Sequence, residues 1–391
     1  MSTLPPLSRP WLELLETVCQ IDSRTTLGCK GTTQVAQILG HELERLGFSL
    51  SWHDTLPEEG PRGRHLIATR NADAPNPLVL IGHTDVILSP QEVPFRIDHD
   101  KQRVYGSGVC DMKGPDILMI HALADALKRY ESVRQAGLVV MLNCAEETSS
   151  ASFKELTLPW QRRASACLGF EPARYDPSGQ DSIVSARKGI MHFHLECQGR
   201  AAHAGANHPM GINAVVQVAR IAQAIDSLTD YSRGLTASVG IIQGGKVANQ
   251  IPDEASLIWE LRAFDPAVLE EASQRAREIA LTPTVRSPSD DEPAVLTLSQ
   301  RSTYPAWLPA PRHEALAERY IRIAATHGLN VTHMASGGAA DASLFSPHVP
   351  TIDGLGILGG GAHSLTEWAD LASYEARAHT AADLIGELVR G

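Results

Sequence analysis

The chain has 391 residues, of which 43% are hydrophobic, a length and composition typical of a globular protein with room for two domains. Its 34 basic and 45 acidic residues give a net charge of -11, and no dense Lys/Arg run offers a track for phosphates, so we expect no nucleic-acid binding. No apolar stretch is long enough to span a membrane, so we expect no membrane association.

The N-terminal residues show neither the basic segment nor the long apolar segment of a signal peptide. Six cysteines are scattered along the chain without CxxC pairs, a pattern that favours reduced thiols over a disulfide framework. These two observations together predict a cytoplasmic protein.

Helices and strands alternate in the first part of the sequence. Apolar residues recur at helical spacing over residues 11–18 and 32–46, and strands are predicted at 48–52 and 65–69. A short apolar run, typical of a strand buried on both faces, follows at 78–81. The alternation predicts an α/β fold with a mixed sheet and helices on both faces.

Three predicted strands end in side chains of the kind that bind metal. The runs at 78–82, 137–142 and 166–170 lead into these residues: His83 and Asp85, Glu146 and Glu147, and Glu171. Asp111 follows a turn-rich GSG sequence and precedes a helix predicted at 117–130. An isolated HxD motif is more often a surface loop. Because ligands bind at the carboxyl edge of open α/β sheets, the agreement of three strand ends nevertheless predicts a metal site there.

The adjacent pair Glu146 and Glu147 has two interpretations. Like charges this close resist ionisation unless a cation is near, so one carboxylate can bind metal while the other acts as a base toward a metal-activated water. A solvated acidic pair that opens a loop is the alternative. Asp85 would hold His83 in one tautomer, and His363, in a glycine-rich loop, would supply a second imidazole.

The sequence changes character near residue 190. Apolar and polar residues alternate over 190–197, as in a strand with one wet face, and a helix at 211–228, strands at 237–242 and 255–261 and a helix from about 266 follow. The order βαββαβ resembles a ferredoxin-like layer. His192 and His194 form an HxH on the polar face and are expected to be solvated rather than to bind metal.

Two Gly/Ala-rich or turn segments of this region carry single polar side chains, His203 and Asn249, where the backbone can approach a ligand closely. Arg262 ends a predicted strand and either holds a substrate carboxylate or forms an ion pair with Glu260 or Asp265. From about residue 295 the α/β pattern returns, with helices predicted at 314–328 and 373–389 and another opening at 336–341.

These motifs together resemble the dizinc amidohydrolases and exopeptidases that include glutamate carboxypeptidase, acetylornithine deacetylase, succinyl-diaminopimelate desuccinylase and aminoacylase. The resemblance runs almost end to end, and its motifs are GHTDV (82–86), YGSGVCDMKG (105–114), NCAEETSS (143–150), GFEPA (169–173), GRAAHAGANHPMGINA (199–214), VANQIP (247–252), ELR (260–262), SGGAAD (336–341) and GGGAHSLTE (359–367). GFEPA and the RKG at 187–189 are most similar to the glutamate carboxypeptidase branch.

The resemblance implies two Zn2+ per chain, for which Co2+ or Mn2+ can substitute, held by these ligands: His83 and Glu171 on one ion, Glu147 and His363 on the other, and Asp111 bridging both. It also implies four kinds of supporting role: Glu146 as general base, Asp85 as the partner of His83, His203 on the oxyanion, and Arg262 and Asn249 on the substrate's terminal carboxylate. Cys110, immediately before Asp111, departs from the family pattern, as do Ala340 and residues 143–145.

By the same resemblance, residues 1–188 and 296–391 form a discontinuous catalytic zinc-binding domain, and residues 189–295 form an inserted ferredoxin-like lid through which the chain forms a homodimer. The implied activity is hydrolysis of an amide next to a free carboxylate, with release of a C-terminal amino acid from a short peptide. An N-acyl amino-acid deacylase is the alternative within the enzyme class, and a non-catalytic metal-binding or peptide-binding relative is the alternative outside it.

Overall fold

The computed structural model describes residues 9–25, 30–148 and 150–390. The helices are α1 (Arg9–Cys19), α2 (Gly31–Arg45), α3 (Lys113–Arg129), α4 (Glu131–Gln135), α5 (Ala151–Gln161), α6 (Ala214–Asp226), α7 (Pro266–Ala280), α8 (Pro311–Thr326) and α9 (Tyr374–Leu388). The strands are β1 (Ser49–Asp54), β2 (Arg64–Arg70), β3 (Leu78–His83), β4 (Arg96–Asp98), β5 (Arg103–Tyr105), β6 (Leu138–Asn143), β7 (Ala166–Gly169), β8 (Arg174–Tyr175), β9 (Asp181–Arg187), β10 (Gly189–Gln198), β11 (Ala202–His203), β12 (Thr236–Gly244), β13 (Gln250–Ile251), β14 (Glu254–Ala263), β15 (Val295–Tyr304), β16 (Val331–Ser336), β17 (Thr351–Ile352), β18 (Gly359–Gly360) and β19 (Trp368–Asp370).

The chain divides into two compact units. The first comprises the described residues within Met1–Ala186, Pro309–Ser336 and Ala340–Gly391, and the second comprises Arg187–Leu308 and Gly337–Ala339. The boundaries expected from the sequence, after residues 188 and 295, differ from these because β15 pairs with β10 inside the second unit.

The first unit is built on a sheet with the strand order β1-β2-β6-β3-β7-β17. The strands β6, β3, β7 and β17 run parallel, and at one side β2 pairs antiparallel with β6 and β1 pairs antiparallel with β2. Every residue of β3, β6 and β7 is buried, which is the pattern of parallel strands covered on both faces. The predicted mixed α/β class of this unit is confirmed.

The second unit has an antiparallel sheet with the order β12-β14-β10-β15 and the helices α6 and α7 in its connections. The βαββαβ order and this strand order confirm the predicted ferredoxin-like architecture. Along β14, buried and half-buried residues alternate, and the buried ones join α6 and α7 in one apolar core. The other face of β14 carries half-buried Ser256, Ile258, Glu260 and Arg262.

One predicted element is wrong. Residues 336–341 were expected to open a helix, but Val331–Ser336 form β16, which pairs with β9, and only a short 3-10 helix, Asp341–Leu344, follows. The five described cysteines are buried free thiols. In the described part of the chain, no helix combines the length and apolar character needed to cross a membrane.

Candidate dinuclear metal centre

The first unit brings its predicted metal ligands to one edge of the sheet. The parallel neighbours β6, β3 and β7 end side by side: His83 is the last residue of β3, Glu146 and Glu147 lie in a short 3-10 helix after β6, and Glu171 follows β7. The carboxyl ends of parallel strands meet at one edge, which is where open α/β sheets bind ligands. The local sequence therefore places these side chains together without long loops.

A first group of possible metal ligands consists of His83, Asp111 and Glu171. The His83 Nε2 atom lies 3.2 Å from Asp111 Oδ1 and 3.7 Å from Glu171 Oε1. His83 and Asp111 are both buried. One imidazole and two carboxylates therefore face a common point from three separate segments.

A second group consists of Asp111, Glu147 and His363, and it shares Asp111 with the first. The His363 Nε2 atom lies 2.9 Å from Glu147 Oε1 and 3.6 Å from Asp111 Oδ2. Asp111 thus presents Oδ1 to one group and Oδ2 to the other. A carboxylate that offers one oxygen to each of two sites is the arrangement expected of a bridging ligand.

The donor atoms suit divalent metal ions. Imidazole nitrogens and carboxylate oxygens are ligands of reactive zinc sites, which keep a position open for water, in contrast to structural thiolate sites. Burial raises the pKa of Glu147 and the hydrogen bond with His363 opposes this, so the ionised carboxylate gains from a nearby cation. Cys110 does not join either group: its buried thiol lies against Gly359, and burial raises its pKa well above the usual range.

Asp85 links His83 to the acid pair. Its Oδ1 accepts the N–H of Glu146 and its Oδ2 the N–H of Glu147, both at 3.0 Å, and His83 Nδ1 lies 3.2 Å from Oδ1. Burial favours the neutral acid, but hydrogen bonds from His83, Thr25 and Glu147 hold the pKa of Asp85 below its usual value. An ionised Asp85 keeps the proton of His83 on Nδ1 and leaves Nε2 free to bind metal.

The carboxylate of Glu146 is available for proton transfer. It is half-buried, and within the described segments no hydrogen bond or ion pair engages its oxygens. Burial raises the pKa of Glu146, and the neighbouring acids Glu171 and Asp341 add to this effect. Its neighbour Glu147 faces the metal ligands, so the two members of the pair occupy different environments.

Sequence reasoning missed the carboxylate that holds the Asp111 segment. Glu367 Oε1 accepts the N–H groups of Cys110 and Asp111 at 2.9 and 3.0 Å, and Oε2 accepts that of Gly108 at 3.1 Å. Burial raises the pKa of Glu367 to about 7. The only signal in the sequence is its place at the end of the GGGAHSLTE motif.

Two further acids support the ligand segments. Asp353 Oδ1 accepts the N–H of Glu171 at 3.1 Å, and Asp341 Oδ2 accepts a hydrogen bond of 2.7 Å from the side-chain amide of Asn143. Asp341 ends the SGGAAD motif, so the sequence marked its segment, whereas nothing near Asp353 distinguishes it. Both bind through backbone or amide groups that a sequence pattern does not display.

The other three predicted site residues lie in the second unit. His203 is an exposed residue of β11, its Nδ1 accepts the N–H groups of Gly205 and Ala206, and the Ala204 N–H donates to the Asn249 carbonyl at 2.9 Å. The segments of His203 and Asn249 are therefore neighbours.

Arg262 forms the ion pair with Glu260 that the sequence allowed, with N–H···O distances of 2.7 and 3.0 Å, and it also donates to the Gly337 carbonyl. His192 is not simply solvated as expected, because its Nε2 lies 3.0 Å from Glu260 Oε2 and its Nδ1 2.8 Å from Ser302 Oγ. The hydrogen bonds from His192 and Arg262 lower the pKa of Glu260 to about 2.

The fold and the paired ligand groups define a metallohydrolase built on an α/β catalytic unit. Residues 79–387 match the family model of peptidase family M20/M25/M40, and the chain belongs to this family. The resemblance identified from the motifs is thereby confirmed.

Two curated relatives illustrate the range of the family. The chain is 27% identical over 392 residues to carboxypeptidase G2 of Pseudomonas sp. (strain RS-16), covering 97% of this chain and 89% of that protein. It is 29% identical over 249 residues to the acetylornithine deacetylase of Myxococcus xanthus, covering 59% of this chain and 62% of that protein. The proteins similar to this chain therefore include both a carboxypeptidase and a deacetylase.

Solved structures share the fold. The M20 family metallo-carboxypeptidase Sso-CP2 of Sulfolobus solfataricus superposes with a TM-score of 0.72 at 16% identity, covering 97% of this chain and 99% of that one. The YXEP protein of Bacillus subtilis, described as a dinuclear metal-binding peptidase, gives 0.65 at 14% identity and covers 98% of each chain.

Proposed function

We propose that this protein is a dizinc hydrolase that cleaves an amide bond next to a free carboxylate and releases a C-terminal amino acid. The observation that carries the proposal is the position of Asp111 between two ligand groups, with the unengaged carboxylate of Glu146 beside them. Similarity to carboxypeptidase G2 along almost the whole chain supports the carboxypeptidase assignment. The alternative, an N-acyl amino-acid deacylase, is supported by the similarity to acetylornithine deacetylases.

In the proposed site, His83 and Glu171 would hold one Zn2+, Glu147 and His363 would hold the other, and Asp111 would be shared by both groups. Two such ions supply Lewis acidity that activates water and polarises the carbonyl of the scissile bond. The carboxylate of Glu146 takes a proton from the attacking water and returns it to the leaving nitrogen. Asp85 supports this transfer because it holds the backbone of Glu146 through a part-buried hydrogen bond.

We assign substrate contacts to the second unit. His203 would donate a hydrogen bond to the oxyanion, and Arg262 and Asn249 would hold the terminal carboxylate of a short peptide or N-acyl amino acid. Glu260 already engages two N–H groups of Arg262, so a substrate carboxylate must use its other donors or displace Glu260. A role for Arg262 in binding therefore predicts a weak affinity for substrates that lack this carboxylate.

We further propose that the first unit acts as the catalytic domain, that the second unit, which extends to Leu308 and not to the expected residue 295, acts as the lid, and that the lid forms a homodimer. The edge strand β12 supports the dimer, because its exposed Ile241 and Ile242 are 46% and 51% accessible and would be covered by a second copy. The buried free thiols of the five described cysteines are consistent with a reducing cytoplasm.

The proposal is tested with protein stripped of metal and reloaded with zinc, assayed for amine release from C-terminal dipeptides and N-acyl amino acids. We expect zinc-dependent release, two zinc ions per chain, and loss of release in Glu146→Gln with the zinc content unchanged. Glu155→Gln, an exposed glutamate of α5, is the matched control and should keep wild-type rates.

The preferred substrate distinguishes a carboxypeptidase from a deacylase. A chain that binds no zinc would contradict the metal centre, and one that binds two ions but releases no amine from any substrate would contradict the hydrolase assignment.

A further inference from the structure

Four consecutive backbone N–H groups, from Cys144 to Glu147, each donate to a side chain. The acceptors are His65 Nδ1 for Cys144 at 3.2 Å, Asn143 Oδ1 for Ala145 at 2.9 Å, and Asp85 Oδ1 and Oδ2 for Glu146 and Glu147 at 3.0 Å. The segment leaves β6 at Asn143, so ladder acceptors are no longer present and buried N–H groups require other partners. This segment carries both the proposed base and a proposed ligand.

The sheet itself delivers His65 to this segment. Strand β2 pairs antiparallel with β6, with Leu66 opposite Leu142, so the start of β2 lies beside the end of β6. His65 is fully buried, with an exposed fraction of 0%. Its contact with Cys144 is therefore set by strand register and not by a mobile loop.

The hydrogen bonds of His65 define one tautomer. A backbone N–H can only donate, so Nδ1 is the unprotonated nitrogen, and Nε2–H donates to Ser152 Oγ at 2.9 Å. Ser152 is anchored in turn, because its N–H donates to Glu59 Oε2. Burial lowers the pKa of His65 to about 4, so the ring is neutral at pH 7 and Nδ1 remains an acceptor.

We propose that His65 is a positioning residue of the hydrolase: its Nδ1 holds the Cys144 N–H and thereby sets the path of the segment that carries Glu146 and Glu147. The inference rests on the proposed function, since it is there that Glu146 acts as base and Glu147 as ligand. Among the residues that the structure describes, the hydrogen bonds of His65 reach Cys144, Ser150 and Ser152 and none of the proposed ligands, so it acts through the backbone of Cys144. Asp85 and His65 secure the two ends of the same short segment.

Two variants test the hydrogen bonds of the two ring nitrogens separately. In His65→Asn, the side-chain Oδ1 stands where Nδ1 stood and can accept the Cys144 N–H, while the donor to Ser152 is lost. In His65→Gln, the longer amide reaches Ser152 but no acceptor remains at the δ position. Both replacements are neutral and polar, so they differ chiefly in which hydrogen bond they keep.

Amide hydrogen exchange of residues 144–147 and steady-state kinetics are measured on zinc-loaded protein. We expect His65→Gln to speed exchange of the Cys144 amide at least about tenfold and to lower kcat by about 10- to 100-fold with little change in KM, because small displacements of catalytic groups are costly. His65→Asn should keep both the exchange rate of the Cys144 amide and kcat within about threefold of wild type, because it keeps an acceptor for the Cys144 N–H.

Equal exchange and equal kcat in the two variants would overturn the proposal, as would a folded His65→Asn that loses as much kcat as His65→Gln. A stability change without a difference in kcat indicates a purely structural role and also overturns it. If wild-type protein hydrolyses nothing, the proposed function fails, but exchange at Cys144 in the two variants still decides whether His65 positions the segment.

Discussion

The replacement Asp85→Asn tests how the centre is organised. Asp85 accepts from four donors, with His83 and Glu146 at Oδ1 and Thr25 and Glu147 at Oδ2. An amide keeps only one oxygen, so in either orientation two donors face an NH2 group. Hydrogen bonds to a charged acceptor contribute about 1.5–3 kcal/mol each, so two lost bonds cost about 3 kcal/mol or more. At about 1.4 kcal/mol per factor of ten, this corresponds to a fall in activity of at least about a hundredfold.

The assay compares kcat and zinc affinity of wild type and Asp85→Asn. We expect kcat to fall by at least about a hundredfold and zinc affinity by about 10- to 100-fold, since partners of metal-bound imidazoles have effects of this size. Asp125→Asn is the matched control, because Asp125 of α3 pairs with Arg129 and His379 and should leave kcat unchanged. Wild-type kcat and zinc affinity in Asp85→Asn would refute the reasoning.

Two further predictions concern stability. Burial lowers the pKa of His313 to about 4, so as pH falls below about 6.5 the unfolded chain takes up protons that the folded chain does not, and stability declines. The His313→Asn side chain can still accept the Thr351 N–H but does not titrate in this range. When the pH is lowered from 7.5 to 5, the unfolding free energy of this variant should therefore fall by about 2 kcal/mol less than that of wild type. Equal falls in the two proteins, measured by urea unfolding, would contradict this. Within the described residues Asp116 has a fully buried carboxyl group with no hydrogen-bond partner, and burial raises its pKa well above the usual value. Asp116→Leu should therefore stabilise metal-free protein by about 1–3 kcal/mol at pH 7, and a lower unfolding midpoint would show the reasoning to be wrong.

The strand ends of the metal centre were predictable because each follows a short apolar run. Such runs give strands buried on both faces, and parallel neighbours end at the same edge, so His83, Glu147 and Glu171 could be grouped from the sequence alone. Asp111 and His363 carry no strand signal of that kind and were selected from a turn and a glycine-rich loop, and the resemblance added only their roles as the bridging ligand and a ligand of the second ion. The structure then placed all five side chains in two overlapping groups.

The supporting residues were not predictable for a physical reason. Glu367 and His65 bind backbone N–H groups that lie 256 and 79 residues away in sequence, and every residue carries such a group, so no side-chain pattern marks the partner. The end of the second unit was missed for a related reason. Leu296 and Leu298 of β15 pack against its core, but their alternation is equally compatible with a strand of either unit.

The ligands of the centre are far apart along the chain, and this affects the order in which the protein can mature. His83, Asp111 and Glu171 all precede the second unit, whereas His363 follows it and lies near the C-terminus. During synthesis the first group is therefore complete long before the second. A chain released before residue 363 would carry four of the five proposed ligands and the proposed base Glu146 but not the second imidazole, so full metal loading would require synthesis to pass residue 363.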